Sequence, residues 1–305
     1  MLNIKTILLL LLFLSCSEKS DLIFNPDNGL FNSSLNFKGT NETLDIITWN
    51  IENYPKNDLT NTYISQIIDS LDVDIIALQE IADNVSFNDL VNSLEGWSGY
   101  RSGGSGSDYQ ELAYLINTNK VEILSDPYTI LNSYQYEFAY REPLVLECLY
   151  NNNHVIIINN HFKCCGDGLM DLNDDSDEET RRYIASNLLN AYINNNFPNK
   201  NVIVLGDFND SLIDNVTNNI FQMIIDDYEN YLFTDIDIAD GSSAEWSFPN
   251  WPSHLDHILI TNELFNNVIS TNTVLIDYSL SGGFSTYDNY VSDHRPVGIK
   301  LLLNP

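Results

Sequence analysis

The chain has 305 residues, of which 43 are acidic and 13 basic, giving a formal charge of −30. Its 44% hydrophobic and 11% aromatic shares are those of a globular protein with material for a sizeable core. The charge excludes a protein that grips nucleic acid mainly by laying Lys and Arg on phosphates; a phosphate-bearing substrate would need divalent cations as a bridge.

The predicted elements follow a targeting segment. Lys5 precedes the apolar run 7–14, which is too short to span a bilayer as a mature helix. Ser15 and Cys16 come next, as at a bacterial lipoprotein cleavage site. Residues 1–15 are therefore expected to be a signal peptide and Cys16 a lipidation site, with an ordinary secretory signal as the alternative. Either reading exports the mature protein, membrane-anchored through lipid in the first case and secreted in the second. Residues 16–43 are polar, lack sustained periodicity and contain Pro26 and Gly29, so they are expected to be a tether ahead of one domain over 44–305. No obligate protein partner is implied.

Residues 44–49 predict the first strand, with Asn50, Glu52 and Asn53 at its tip. Ile64, Ile67, Ile68 and Leu71 recur at helical spacing and predict an amphipathic helix over 60–71. A second apolar strand over 73–78 ends in Gln79-Glu80, and a Gly/Ser loop over 101–108 precedes a third over 111–116. Residues 144–150 and 154–160 predict a hairpin, with His161 directly after it. In that hairpin Cys148 would face about Ile156, leaving Cys164 roughly 25 Å away at strand rise. No disulfide between them is expected; Cys148 reads as a buried thiol and Cys164-Cys165 as either free or a strained vicinal pair.

Asp177 is expected to cap a helix that turns Ile184, Leu188, Ala191 and Tyr192 inward. Just before it, Asp171, Asn173, Asp175 and Asp177 alternate as in an EF-hand loop. The required Gly is missing, however, and Arg182 stands where the closing carboxylate belongs. A solvated acidic loop is the expectation, structural Ca²⁺ the alternative. The apolar run 202–205 predicts a strand buried on both faces, which Gly206 turns into Asp207, Asn209 and Asp210. A short helix is expected near 216–225. Strands are expected over 257–260, after Asp256, and over 297–303, after Asp293-His294. Trp246 and Trp251 either pack in the core or floor a cleft ahead of Asp256. Alternation in the first third and hairpins in the middle predict two packed sheets flanked by helices.

Polar residues thus cluster at strand ends. Several carboxylates with Asn point to a hard cation such as Mg²⁺, Mn²⁺ or Ca²⁺. Two histidines with acidic partners available suit general acid/base work. T-W-N-I-E-N (48–53), L-Q-E (78–80), N-N-H-F-K (159–163), G-D-F-N-D (206–210), L-D-H-I (255–258) and S-D-H-R-P (292–296) occur in that order. Together they resemble the endonuclease/exonuclease/phosphatase superfamily over about residues 44–303. The resemblance implies an α/β four-layered sandwich of two mixed β-sheets flanked by helices, with the site at the sheets' common edge.

Y-Q-E-L-A-Y-L (109–115) and Y-R-E-P-L-V-L (140–146) further resemble pancreatic-type deoxyribonucleases. By that resemblance Glu80, helped by Asn50, would hold Mg²⁺ (Mn²⁺ as the alternative), with Asp293 in support. Asp207 and Asn209 would position phosphate or water. His294 with Asp256, and His161 with Glu111, would act as base and acid in an order left open. Arg141 and Tyr109 would contact substrate phosphate, and Glu52 stands where some relatives carry a metal carboxylate. The implied activity is metal-dependent phosphodiester hydrolysis, with nucleic acid as the substrate. The alternatives are a phosphatase or phospholipase-C-like hydrolase on the same scaffold, or a surface binding protein without turnover.

Overall fold

The computed structural model describes residues 30–103 and 110–305. Thirteen strands occur in them: β1 (Leu44–Tyr54), β2 (Ile75–Ile81), β3 (Trp97–Arg101), β4 (Glu111–Asn117), β5 (Glu122–Ile123), β6 (Tyr128–Thr129) and β7 (Leu144–Tyr150). Then come β8 (Asn153–His161), β9 (Asn201–Asp207), β10 (Tyr231–Phe233), β11 (Asp256–Thr261), β12 (Val268–Thr273) and β13 (Val297–Leu301). One sheet has the order β12-β13-β1-β2-β4-β3 and the other β10-β11-β9-β8-β7-β5, with β6 also paired to β7. Both are mixed: β1 runs parallel to β2 and antiparallel to β13, and β8 runs parallel to β9.

Strand periodicity decides which sheet face meets which layer. Leu44 and Ile46 of β1 pack with Ile203 and Leu205 of β9 between the two sheets. Their neighbours Ile47, Trp49 and Ile51 turn outward, onto α1 (Thr60–Leu71) and α2 (Asn84–Ser93). Val202 and Val204 turn the other way, onto Ala185, Leu189 and Ile193 of α3 (Glu178–Asn196). The result is the expected helix–sheet–sheet–helix sandwich, in which each buried Ile or Leu contributes about 1.5–3 kcal/mol. Polar bolts cross the apolar middle as well. Gln79 Nε2 donates to Asn159 Oδ1 (2.7 Å), while Asn159 Nδ2 donates to the carbonyls of Leu78 and Ala113.

Several details differ from the sequence expectation. Residues 30–43 do not form a tether: Leu30 and Phe37 are buried, Phe31 bridges to Leu280, and Asn36 Nδ2 donates to the carbonyl of Thr273. Their apolar side chains are too irregularly spaced to show a period, yet each finds a pocket on the first sheet. Helix α3 is capped by Asp177 as expected, but its buried face is Ala185, Leu189 and Ile193, with Ala191 exposed. The buried face lies one residue further along than the apolar spacing suggests, because the helix also buries Arg181 and Arg182. The expected helix near 216–225 shrinks to Gln222–Asp226. Cys148 is a buried free thiol facing Val155, and burial pushes its pKa up to about 12. Trp251 is 78% exposed and Trp246 donates Nε1 to the carbonyl of Ile238, so neither Trp is deep in the core.

Candidate active site

The strand directions bring the singled-out residues to one edge. β1, β2, β8 and β9 end there, while the antiparallel β4, β11 and β13 begin there. Register places His161 beside Asp207 and Asp207 beside Asp256. Gly206 makes this pairing close: a Cβ on it would lie 2.0 Å from the backbone oxygen of Asn160, and its φ is +146°.

Asp207 is the hub. Asn50 Nδ2 donates to its Oδ2 (2.9 Å), the Asn209 backbone N–H donates to its Oδ1 (2.9 Å), and His161 Nε2 and His294 Nε2 lie 3.6 Å and 3.9 Å from Oδ2. Burial, opposed by the charge of His294, raises the Asp207 pKa to about 6. His294 Nδ1 meets Asp256 Oδ2 at 2.8 Å, and the ring lies against Phe248 with centroids 4.8 Å apart. Burial alone would discharge His294, but Asp256 and Asp207 overcome it and lift the pKa to about 10. His161 goes the other way: burial, then Arg141 and His294, drive its pKa well below the ordinary range. One ring is thus charged near neutral pH and the other neutral.

Around the hub lie the remaining carboxylates. Glu80 has φ +66° at the end of β2, and its carboxylate accepts from Asn50 Nδ2 (3.2 Å) and from the Asn53 backbone (2.7 Å). Glu52, on the bulged tip of β1, accepts from the Asp293 backbone (3.0 Å) and pairs with Lys56. Burial raises Asp293 to about 7, and its Oδ1 is buried without a hydrogen-bond partner among the described residues.

Three of the singled-out residues have protein partners of their own. Asn50 does not point its oxygen outward: Oδ1 accepts from the Glu52 backbone (2.9 Å), and the amide NH2 bridges Glu80 and Asp207. In this arrangement its amide orients the two carboxylates. Glu111 pairs with Arg101, and His161 Nδ1 is buried with no hydrogen-bond partner among the described residues, so the expected Glu111–His161 pair is absent. Arg101 ends β3, next to β4 in the sheet, and is close enough to capture the carboxylate. Arg141 meets backbone carbonyls, of His161 (3.2 Å) and Phe162 (2.9 Å), and also Gln110 Oε1 (2.9 Å). It braces the loop after β8. Tyr109 and Cys16 lie outside the described residues.

Sequence reasoning passed over two groups. Arg182 is 3% exposed and donates to Asp210 Oδ2 (2.7 Å) and to the carbonyls of Lys163 and Cys165, fastening α3 to both active-site loops. Its signal was an Arg one turn into an otherwise amphipathic helix. Behind Asp256 lies a buried trio. His254 Nε2 (3.0 Å) and His257 Nδ1 (2.6 Å) both reach Asp235 Oδ2, and His257 Nε2 reaches the carbonyl of Asp210 (2.9 Å). His254 Nδ1 accepts from Ser247, so every ring nitrogen is used by the protein and the trio reads as structural.

The acidic loop does not fold as an EF-hand. Asp171 and Asp174 turn back onto Asn173 and Ser176, while Asp167, Asp177 and Glu179 are the carboxylates that approach one another.

The model of the Endonuclease/Exonuclease/phosphatase family matches residues 47–294. The chain belongs to this family. No curated protein matches it significantly. Among solved structures, D. rerio TDP2 complexed with a single-strand DNA product is 13% identical, with TM-score 0.65, covering 85% of this chain and 98% of its own. An endonuclease/exonuclease/phosphatase from Bacteroides vulgatus is 16% identical, with TM-score 0.61 and coverages of 86% and 99%. The human Nocturnin catalytic domain with bound sulfate is 14% identical, with TM-score 0.61 and coverages of 87% and 96%. These likenesses establish the fold.

A divalent metal fits the residues of this family site. Glu80, Glu52, Asp207 and Asp293 lie at one edge, Lys56 pairs with Glu52, and Asp293 keeps a buried oxygen without a hydrogen-bond partner among the described residues. Carboxylate oxygens in such excess are the donors a hard cation prefers. The grouping at this edge whose ligand atoms already lie within 4.8 Å of one another is a different one, Asp207, Asp256 and His294. There Asp256 gives Oδ2 to His294 Nδ1, the arrangement of an acid/base relay, while its Oδ1 is buried without a hydrogen-bond partner among the described residues.

Proposed function

We propose that this protein is a divalent-metal-dependent phosphodiesterase that cleaves nucleic acid. One observation carries the reading: His161 and the His294–Asp256 pair converge on Asp207, with His161 and Asp256 on the strands flanking β9 and His294 in the loop before β13. Mere binding needs no such convergence of two histidines on one carboxylate. In this reading His161 takes the proton from the attacking water and His294 gives one to the leaving oxygen. Asp207 and Asn209 orient the water and phosphate, and Arg141 holds the His161 loop in place. A cation, Mg²⁺ or Mn²⁺, held by Glu80 and Asp293 with Glu52 nearby would supply Lewis-acid charge against the phosphoryl oxygens. The DNA product in the D. rerio structure of the same fold supports a nucleic-acid substrate.

Export through the 1–15 segment, with lipid on Cys16 as the anchor, belongs to the same proposal; among the described residues no helix is long and apolar enough to cross a membrane. Cys16→Ser should then move the protein out of the membrane fraction, and unchanged membrane association would refute the anchor.

The decisive experiment offers plasmid DNA, RNA, sphingomyelin and inositol phosphates to the purified protein, with Mg²⁺ and with EDTA. Mg²⁺-dependent cleavage of nucleic acid is expected. Turnover confined to the lipid or inositol substrates would replace the nuclease reading by the phosphatase or phospholipase-C-like one.

A further inference from the structure

Three positions beyond His161, two cysteines adjoin in sequence and in space. Cys164 and Cys165 are both exposed, and the Sγ atoms are 2.9 Å apart with the Cys165 thiol donating to Cys164. Lys163 Nζ stands 3.8 Å from Cys164 Sγ and donates to the Cys164 carbonyl (2.8 Å). The backbone is held in this shape: Arg182 Nη1 takes the carbonyls of Lys163 and Cys165, and Cys165 has φ +72°.

We propose that Cys164 and Cys165, in the loop that follows His161, form an oxidisable vicinal dithiol, a modification site that a small-molecule disulfide closes into an intrachain bond. The Cys165 S–H points at Cys164 Sγ and Lys163 Nζ lies beside the same sulfur, which leaves Cys164 as the sulfur placed to attack first. The hydrogen bond to Cys164, followed by burial, raises the pKa of Cys165, so its thiol keeps its proton until the first exchange is over.

The chemistry balances in two exchanges. Cys164 attacks the reagent disulfide, forming a mixed disulfide and releasing one reagent thiolate. Cys165 then loses its proton to solvent and attacks Cys164 Sγ, forming the Cys164–Cys165 bond and releasing the second reagent thiolate. Two protein thiols are oxidised and one reagent disulfide is reduced. Neighbouring Cα atoms are about 3.8 Å apart, below the roughly 4.4–6.8 Å of ordinary disulfides. The closed form is therefore strained and readily reduced, as suits a reversible site.

The test treats the folded full chain, carrying Cys16→Ser, with oxidised glutathione. Cys148 is then the remaining cysteine and serves as an internal control, because it is buried. Intact mass should fall by two hydrogens with no glutathione retained, and dithiothreitol should restore it. Thiols counted in denaturant should fall from three to one. Cys165→Ser should stop at a glutathione adduct on Cys164, and Cys164→Ser should react more slowly. A stable glutathione adduct on the parent chain, three surviving thiols, or faster reaction at Cys165 than at Cys164 would each overturn the proposal.

Discussion

Arg182 Nε lies 2.7 Å from Asp210 Oδ2, joining a helix on the outer face of the second sheet to the loop that leaves its central strand. Both side chains are buried, and Glu179 adds a second carboxylate 3.3 Å from Arg182 Nη2. Removing one partner of a buried pair strands the others' charge. Arg182→Met, close in volume, should therefore lower stability by about 3–5 kcal/mol. Urea unfolding checks this, and a change below about 1 kcal/mol would class the pair with ordinary surface ion pairs.

That clamp also marks how much the sequence discloses. The strand tips were legible because a buried strand writes itself as an unbroken apolar run, and a polar residue ending it, such as Glu80, His161 or Asp207, stands out. Gly206 was legible as a turn residue, though not its approach to Asn160. Arg182, by contrast, looks like any helical Arg, since its partners Asp210, Lys163 and Cys165 are distant in sequence. Glu111 shows a different limit. A resemblance can name the residue, but a competing cation on the neighbouring strand, Arg101, decides where the carboxylate goes. Residues 30–43 failed for the opposite reason: a segment that packs without periodicity leaves no pattern to read.

Glu80→Gln should abolish most turnover while sparing the fold. The carboxylate is part-exposed at the cleft; Asn50 Nδ2 donates to Oε1 and the Asn53 N–H to Oε2, so the amide of Gln keeps one of these two bonds. What is lost is one negative oxygen of the metal set, expected to lower kcat roughly 100-fold or more. Steady-state kinetics over an Mg²⁺ titration, together with a thermal melt, read both parts. Wild-type kcat with an unchanged melt would remove Glu80 from the metal set.

Asp235 and His257 give a pH signature away from the metal edge. His257 presents both nitrogens to groups that only accept, Asp235 and the carbonyl of Asp210, so it must carry two protons and a charge. Phe208, Phe221 and Phe233 surround the ring. Burial opposes the charge of His257, but Asp235 raises its pKa above the usual value. Burial would likewise raise Asp235, but His257 and His254 pull it below the usual carboxylate range. A raised His stabilises fully below its unfolded pKa of about 6.5 and loses the contribution as pH rises through the folded value. A depressed Asp stabilises above its unfolded pKa of about 3.9 and loses the contribution as pH falls. Asp235→Asn should thus lower the melting temperature most between about pH 4 and 6.5, with the gap to wild type narrowing on both sides. A gap that keeps widening above that window would contradict a charged His257.

The final prediction turns on Glu111. If its task were to orient His161, Glu111→Gln and His161→Ala would overlap, and the double mutant would lose little beyond His161→Ala. In this structure Glu111 instead pairs with Arg101 across two neighbouring strands, and the loop carrying His161 is braced by Arg141 through the carbonyls of His161 and Phe162. His161→Ala should therefore lower kcat by about 10²–10⁴, the usual range for a general acid or base. Glu111→Gln should lower it by less than about tenfold, since it acts on the cleft wall and not on the ring. The two effects should add in activation free energy, whereas Glu111→Gln and Arg101→Met should not add in stability, because each removes the same ion pair. Two double-mutant cycles on one substrate, one read by kcat and one by urea unfolding, make the comparison. Strong non-additivity between Glu111 and His161 in kcat would mean that Glu111 leaves Arg101 and turns to His161 when substrate binds, and the pairing seen here would not be the working one.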